Sequence, residues 1–153
     1  MPVIEKVVDN AQLEADHKNV TIKLGVSGDN VFVPVNDLLL GSAIENVLRN
    51  AIQAAPNGSQ VRVAGRINGN NVEIRIADTG PGVPDDALKK IFEPFVRLDT
   101  NRSGSGIGLA ITARVLERIG GSVAAENAND GGLTVTLTIP VVAEASVATA
   151  RPD

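Results

Sequence analysis

The sequence predicts a two-layer α/β (α+β) fold, a mixed sheet packed against about three helices. Three observations lead there. Three stretches carry apolar residues at helical spacing, pairs of alternating segments are joined by strong turn residues, and strands and helices alternate only in part.

Val3 to Asp16 has Val3, Ile4, Val7, Val8, Ala11 and Ala15 on one stripe and reads as a helix. Val20 to Val26 alternates as a strand, and Gly28-Asp29-Asn30 turns the chain. Val31 to Val35 reads as a short edge strand, because it holds Pro34. Asn36 or Asp37 caps the next helix, whose stripe is Leu40, Ala43, Ile44, Val47, Leu48, Ala51 and Ala55, and Pro56-Asn57-Gly58 ends it. Gln60 to Ile67 and Asn71 to Ala77 form a hairpin across Asn68-Gly69-Asn70.

From Asp78 to Ser103 the chain is mostly loop, with one amphipathic turn at Asp85 to Ile91; a loop of that length marks function or mobility. Gly108 to Ile119 is a helix with Leu109, Ala113, Leu116 and Ile119 inward and Gly120-Gly121 as its cap. Ser122 to Glu126 and Leu133 to Ile139 close the domain as a second hairpin, and residues 141–153 read as a disordered tail.

Composition narrows the function classes. The 153 residues, 43% hydrophobic and 21% charged, suit one domain with a real core. A net charge of -4 and 2% aromatic content, all Phe, speak against a nucleic-acid surface. Without cysteine there are no disulfides and no thiol chemistry, which suits a reducing cytoplasm. No stretch reaches the roughly 18 apolar residues of a membrane span, and no signal peptide is recognisable. Met1-Pro2 leads straight into a helical pattern, compatible with a whole small protein or a piece of a larger one.

Three elements carry chemistry. Asn46 and Asn50 lie four residues apart, on one helix face with Gln53 and away from the apolar stripe. Amide oxygens suit Mg²⁺, a hard cation that keeps several waters. Asp78 closes a strand before Thr79-Gly80-Pro81-Gly82; a carboxylate there can accept the exocyclic amine of adenine, although Asp-x-Gly is also a common turn. Gly104, Gly106 and Gly108 alternate into a helix start, where backbone amides and the helix dipole favour phosphate. No Gly-Lys-Ser/Thr follows, so this is not a P-loop, and a long polar loop stands where a dinucleotide-binding motif would have a strand.

The order of asparagine helix, Asp78-x-Gly80-x-Gly82, Ile91-Phe92-Glu93-Pro94-Phe95 and Gly104-x-Gly106-x-Gly108-Leu109 resembles the ATP-binding catalytic domain of bacterial sensor histidine kinases. That family belongs with gyrase, mismatch-repair and chaperone ATPases. The resemblance spans about Val3 to Pro140 and implies the Bergerat sandwich of about five strands, with a catalytic domain over 1–140 and a mobile ATP lid at about 82–104.

It also implies roles. Asn50 would ligate Mg²⁺, Asn46 would support the phosphates, and Asp78 would read adenine. Gly80, Gly82 and Val83 would shape the adenine side, and Gly104, Gly106, Ile107, Gly108 and Leu109 the phosphate side. Arg97 would contact phosphate, with Arg102 a weaker candidate. Gln53 stands where many such kinases have a basic residue. Asn127-Ala128-Asn129-Asp130-Gly131-Gly132 fits a structural late turn.

ATPase relatives place a glutamate where Asn46 stands, as general base; asparagine cannot take that proton. Phosphoryl transfer therefore leads, with an ATPase or a non-catalytic adenine-nucleotide sensor or interaction module as alternatives. His17, the sole histidine, lacks the acceptor motif and reads as a surface residue. The acceptor is expected on a separate dimerisation domain, with a response regulator downstream. Ile91, Phe92 and Phe95 fit either core or the patch meeting that domain. The isolated domain is expected to be a cytoplasmic monomer whose parent can be anchored in the bacterial inner membrane.

Overall fold

The computed structural model describes residues 2–26, 31–32, 37–93, 108–129, 131–140 and 142–143. Helices α1 (Pro2–His17), α2 (Asp37–Ala54) and α3 (Gly108–Arg118) pack side by side, α1 on α2 and α2 on α3. Below them lies a five-stranded sheet of β1 (Thr21–Val26), β3 (Gln60–Asn68), β4 (Asn71–Ala77), β6 (Leu133–Pro140) and β5 (Ser122–Asn127), in that spatial order. Only β1 and β3 run parallel, joined by a crossover that contains α2; the other pairs are antiparallel. This is the mixed two-layer sandwich expected.

Strand alternation fixes the inner face. Val61 and Val63 of β3, Val72, Ile74 and Ile76 of β4, and Leu133, Val135, Leu137 and Ile139 of β6 are all buried. Ile4, Ile44, Leu48 and Leu116 meet them from the helices. The predicted α2 stripe is buried throughout, and Ile52, outside that stripe, is buried as well. On α3 Leu116 is buried and Leu109 and Ile119 pack half-buried against the core, as expected, while Ala113 is only half-buried and Ala110 and Thr112, not expected inward, are buried. The hydroxyl explains Thr112, since Oγ1 donates to the Ala43 carbonyl of α2 at 3.0 Å.

Two helices end the same way. Asn19 has φ 58 after α1, with Val20 N donating to Ala15 O at 2.8 Å and Asn19 N to Asp16 O at 3.0 Å. After α3, Gly120 has φ 78, with Gly121 N donating to Leu116 O at 2.8 Å and Gly120 N to Glu117 O at 3.2 Å. Both are Schellman ends; glycine predicts the second, and asparagine tolerates the same conformation in the first.

Of the short edge strand expected at 31–35, Val31–Phe32 is strand β2 and 33–35 lie outside the described residues; β2 pairs antiparallel with β7 (Val142–Ala143), apart from the main sheet. Thus 142–143, placed in the expected tail, are strand; 144–153 lie outside the described residues. The single turn at 85–91 is two 3₁₀ turns, Asp85–Ala87 and Lys90–Phe92.

Candidate functional site

Asp78 directly follows β4, where the strand's last paired residue, Ala77, meets Thr134. Asp78 itself is 4% exposed. Oδ1 accepts the Gly80 amide at 2.8 Å and the Leu133 amide at 3.3 Å, and the Asp78 amide donates to Leu133 O at 3.0 Å. The first bond folds the chain back within two residues, as a short acidic side chain in a turn can do.

Neighbouring backbone crowds this turn on every side. A Cβ on Gly80 would lie 2.4 Å from the Ala54 carbonyl at the end of α2. One on Gly132 would lie 1.9 Å from the Asp78 carbonyl, and Gly132 has φ 94 besides. Gly82, at φ 71, faces Asn127 Oδ1, which a Cβ would approach to 2.6 Å. Asn127 then pairs with both backbone groups of Val83, which is itself buried.

The asparagines line up with this turn. Asn46, Asn50 and Ala54 are spaced by four along α2, so their directions differ by only about 40° per step. Asn46, Asn50 and Gln53 are all half-buried. Ala54, against Gly80, lies about 6 Å along the axis from Asn50. At the opposite end of the row, the Thr112–Ala43 bond ties α3 to α2 three residues before Asn46. Helix α2 is thus flanked by the Asp78 turn at one end and by α3 at the other.

Gly108 opens α3, and Leu109 is half-buried against the core. Arg97, Arg102, Gly104, Gly106, Ile107 and Phe95 lie outside the described residues. Ile91 is buried and Phe92 half-buried, both packed on the core, while His17 is exposed. Among the described residues no cluster of three His, Cys, Asp or Glu could hold a metal. No described helix is long and apolar enough to cross a membrane.

Sequence reasoning gave Asn127 only a structural part in a late turn and passed over Lys18. The Lys18 ammonium donates to the Gln53 carbonyl in the last turn of α2. No local pattern signals that pair, since the residues are 35 positions apart.

Residues 35–143 match the family described as histidine kinase-, DNA gyrase B- and HSP90-like ATPase. The chain belongs to that family. Within it, the chain is an ATP-binding domain of the histidine-kinase kind. It is 34% identical over 143 residues to the sensor-like histidine kinase SenX3 of Mycolicibacterium smegmatis, covering 90% of this chain and 37% of that protein. It is 38% identical over 146 residues to the sensor protein PfeS of Pseudomonas aeruginosa, covering 94% and 32%. The chain therefore spans about a third of the length of such relatives. The mycobacterial sensor histidine kinase MprB superposes with a TM-score of 0.79 at 29% identity, over 90% of this chain and 95% of that one. Full-length ShkA, solved with AMPPNP, gives 0.81 at 29% identity, over 93% and 30%.

Proposed function

We propose that this domain binds ATP with Mg²⁺ and transfers the γ-phosphoryl group to a histidine on a separate dimerisation domain. The observation that carries the reading is Asp78: a carboxylate buried at a strand end and fixed by two backbone amides, beside a helix bearing two asparagines in line. A fixed acceptor there can take the exocyclic amine of adenine, whereas the carbonyl of guanine would meet it lone pair to lone pair. Asn50, with Asn46 one turn earlier, supplies neutral oxygens of the kind Mg²⁺ accepts, and the residues present fit that ion. When bound, Mg²⁺ neutralises charge on the phosphates. Gly104, Gly106 and Gly108 would wrap backbone amides around the phosphates at the start of α3, and Arg97 would add a cation.

Asn46 cannot accept a proton from an attacking water. Its neighbour Glu45 is paired with Arg49 at 3.3 Å along the helix, which holds that carboxylate in a different direction. Positioning and electrostatics then favour transfer to a placed acceptor over hydrolysis.

The test is calorimetric titration of ATP with and without Mg²⁺, with GTP as control, followed by label transfer to a histidine-bearing partner domain. Asp78→Asn keeps an oxygen for the Gly80 amide and should lose adenine selectivity; Asn50→Ala should mainly lose the Mg²⁺ dependence. Equal binding of ATP and GTP would remove the adenine assignment. Label released only as free phosphate would make the domain an ATPase instead.

A further inference from the structure

The three helices cover one face of the sheet, and the opposite face carries an unbalanced group of cations. Lys23 of β1 and Arg62 of β3 are direct register partners. On β4, Arg62 is paired with Ala77, and Arg75 stands two residues away, opposite Ala64. Three exposed cations thus occupy neighbouring positions on three adjacent strands. Like charges directly opposite one another cost a sheet stability.

No carboxylate of the described sheet forms a salt bridge with any of the three. Arg66, a fourth cation on this face, is taken by Glu73 at 2.9 Å. Glu73 also feels the field of Arg75, but among the described residues Lys23, Arg62 and Arg75 form no salt bridge. The other carboxylate of the face, Glu126, lies across the sheet on edge strand β5, in register with Thr134. The concentration runs against the chain's net charge of -4.

We propose that this face docks an acidic polypeptide segment. Charge complementarity is the argument, and two features choose the partner. Ala64 and Ala77 keep the ground between the cations low, so an extended chain can lie flat and bring carboxylates to the guanidinium forks. A membrane surface generally needs a cluster of about four to eight cations or inserted apolar side chains, and single-stranded nucleic acid needs aromatic platforms. With Arg66 held by Glu73, three cations remain on this face, and its described strands carry no aromatic residue.

The experiment is an NMR titration of the ¹⁵N-labelled chain, without nucleotide, using a short poly-L-glutamate peptide. Amide shifts should cluster at Ala64, Arg75 and Thr136, and affinity should fall steeply with added salt. The variant Lys23→Gln/Arg62→Gln/Arg75→Gln should bind at least about tenfold more weakly with its remaining spectrum intact, and Arg75→Glu alone should also weaken binding. Lys6→Gln/Arg114→Gln, on the helical side, should change nothing. Unchanged affinity in the triple variant, shifts located elsewhere, or preferential capture of phosphatidylserine vesicles or duplex DNA would overturn the proposal. The nucleotide site stands or falls separately, since no ATP is present.

Discussion

Asn127 holds Val83 by both of its backbone groups: the Val83 amide donates to Oδ1 at 3.0 Å, and Nδ2 donates to the Val83 carbonyl at 2.6 Å. A side-chain amide thereby stands in for a strand neighbour, at the end of β5, the edge strand of the sheet among the described residues. Nδ2 also reaches Asp85 Oδ1 at 2.9 Å, so one residue ties both the glycine turn and the first 3₁₀ turn to the sheet. Replacing Asn127 with Ala leaves a buried N–H and C=O without these partners. The expected cost is about 1–3 kcal/mol in chemical denaturation, with faster hydrogen exchange at the Val83 amide. Exchange at that amide equal to wild type would show that the clamp is dispensable.

Glycine positions divide by what surrounds them. At Gly80 a methyl group would meet the Ala54 carbonyl, which belongs to backbone and cannot swing away. Gly80→Ala should therefore displace the Asp78 turn from α2, costing about 1–3 kcal/mol and weakening ATP binding together with stability. Gly25, on β1, has nothing within 4 Å of its added methyl. Gly25→Ala should stay within about 0.5 kcal/mol of wild type. Thermal melts of the two variants side by side check the contrast; equal melting temperatures would refute it.

The legible parts of this fold are those written in local pattern. The α2 stripe, the Asn68–Asn71 hairpin with Gly69 at φ 63, and the Gly120 cap follow from spacing and turn chemistry within a few residues. The turn from Asp78 to Gly80 was legible for the same reason. What the sequence hid depends on distant partners. The pairing of Val31–Phe32 with Val142–Ala143 joins residues from near opposite ends of the domain, and Thr112 turns inward where the Ala43 carbonyl accepts its hydroxyl. Single-sequence periodicity sorts apolar from polar, so it places a threonine outside and cannot see its acceptor.

Glu73 gives the sheet an acid-sensitive contact. The Asn68 amide, donating at 2.9 Å, and the Arg66 guanidinium hold its carboxyl below the usual glutamate value. A lowered folded-state pKa means that the contribution is fully present above the unfolded value, about 4.3, and is lost as pH falls through the folded one. Glu73→Gln should thus melt below wild type at neutral pH, and the gap should close as pH falls from about 5 toward 3. A gap that persists unchanged in acid would assign the difference to packing instead.

Lys18 supplies what α2 lacks in its own sequence. The last turn of α2 has no basic residue, and its carbonyls point toward the end where negative partial charge accumulates. From just beyond α1, half-buried Lys18 brings its ammonium to the Gln53 carbonyl, two helices sharing one cap. Gln53 follows Asn50 by three residues and precedes Ala54, the residue against which Gly80 packs, so the cap steadies the turn that positions both. Lys18→Met keeps most of the stem and removes the charge. The expected loss is about 1–2 kcal/mol, with Lys18→Arg retaining at least half of it. Melts in rising salt separate the origins: a half-buried cap should be screened only in part, so the deficit of Lys18→Met should shrink without vanishing. A deficit absent at every salt concentration would mean that α2 ends unaided.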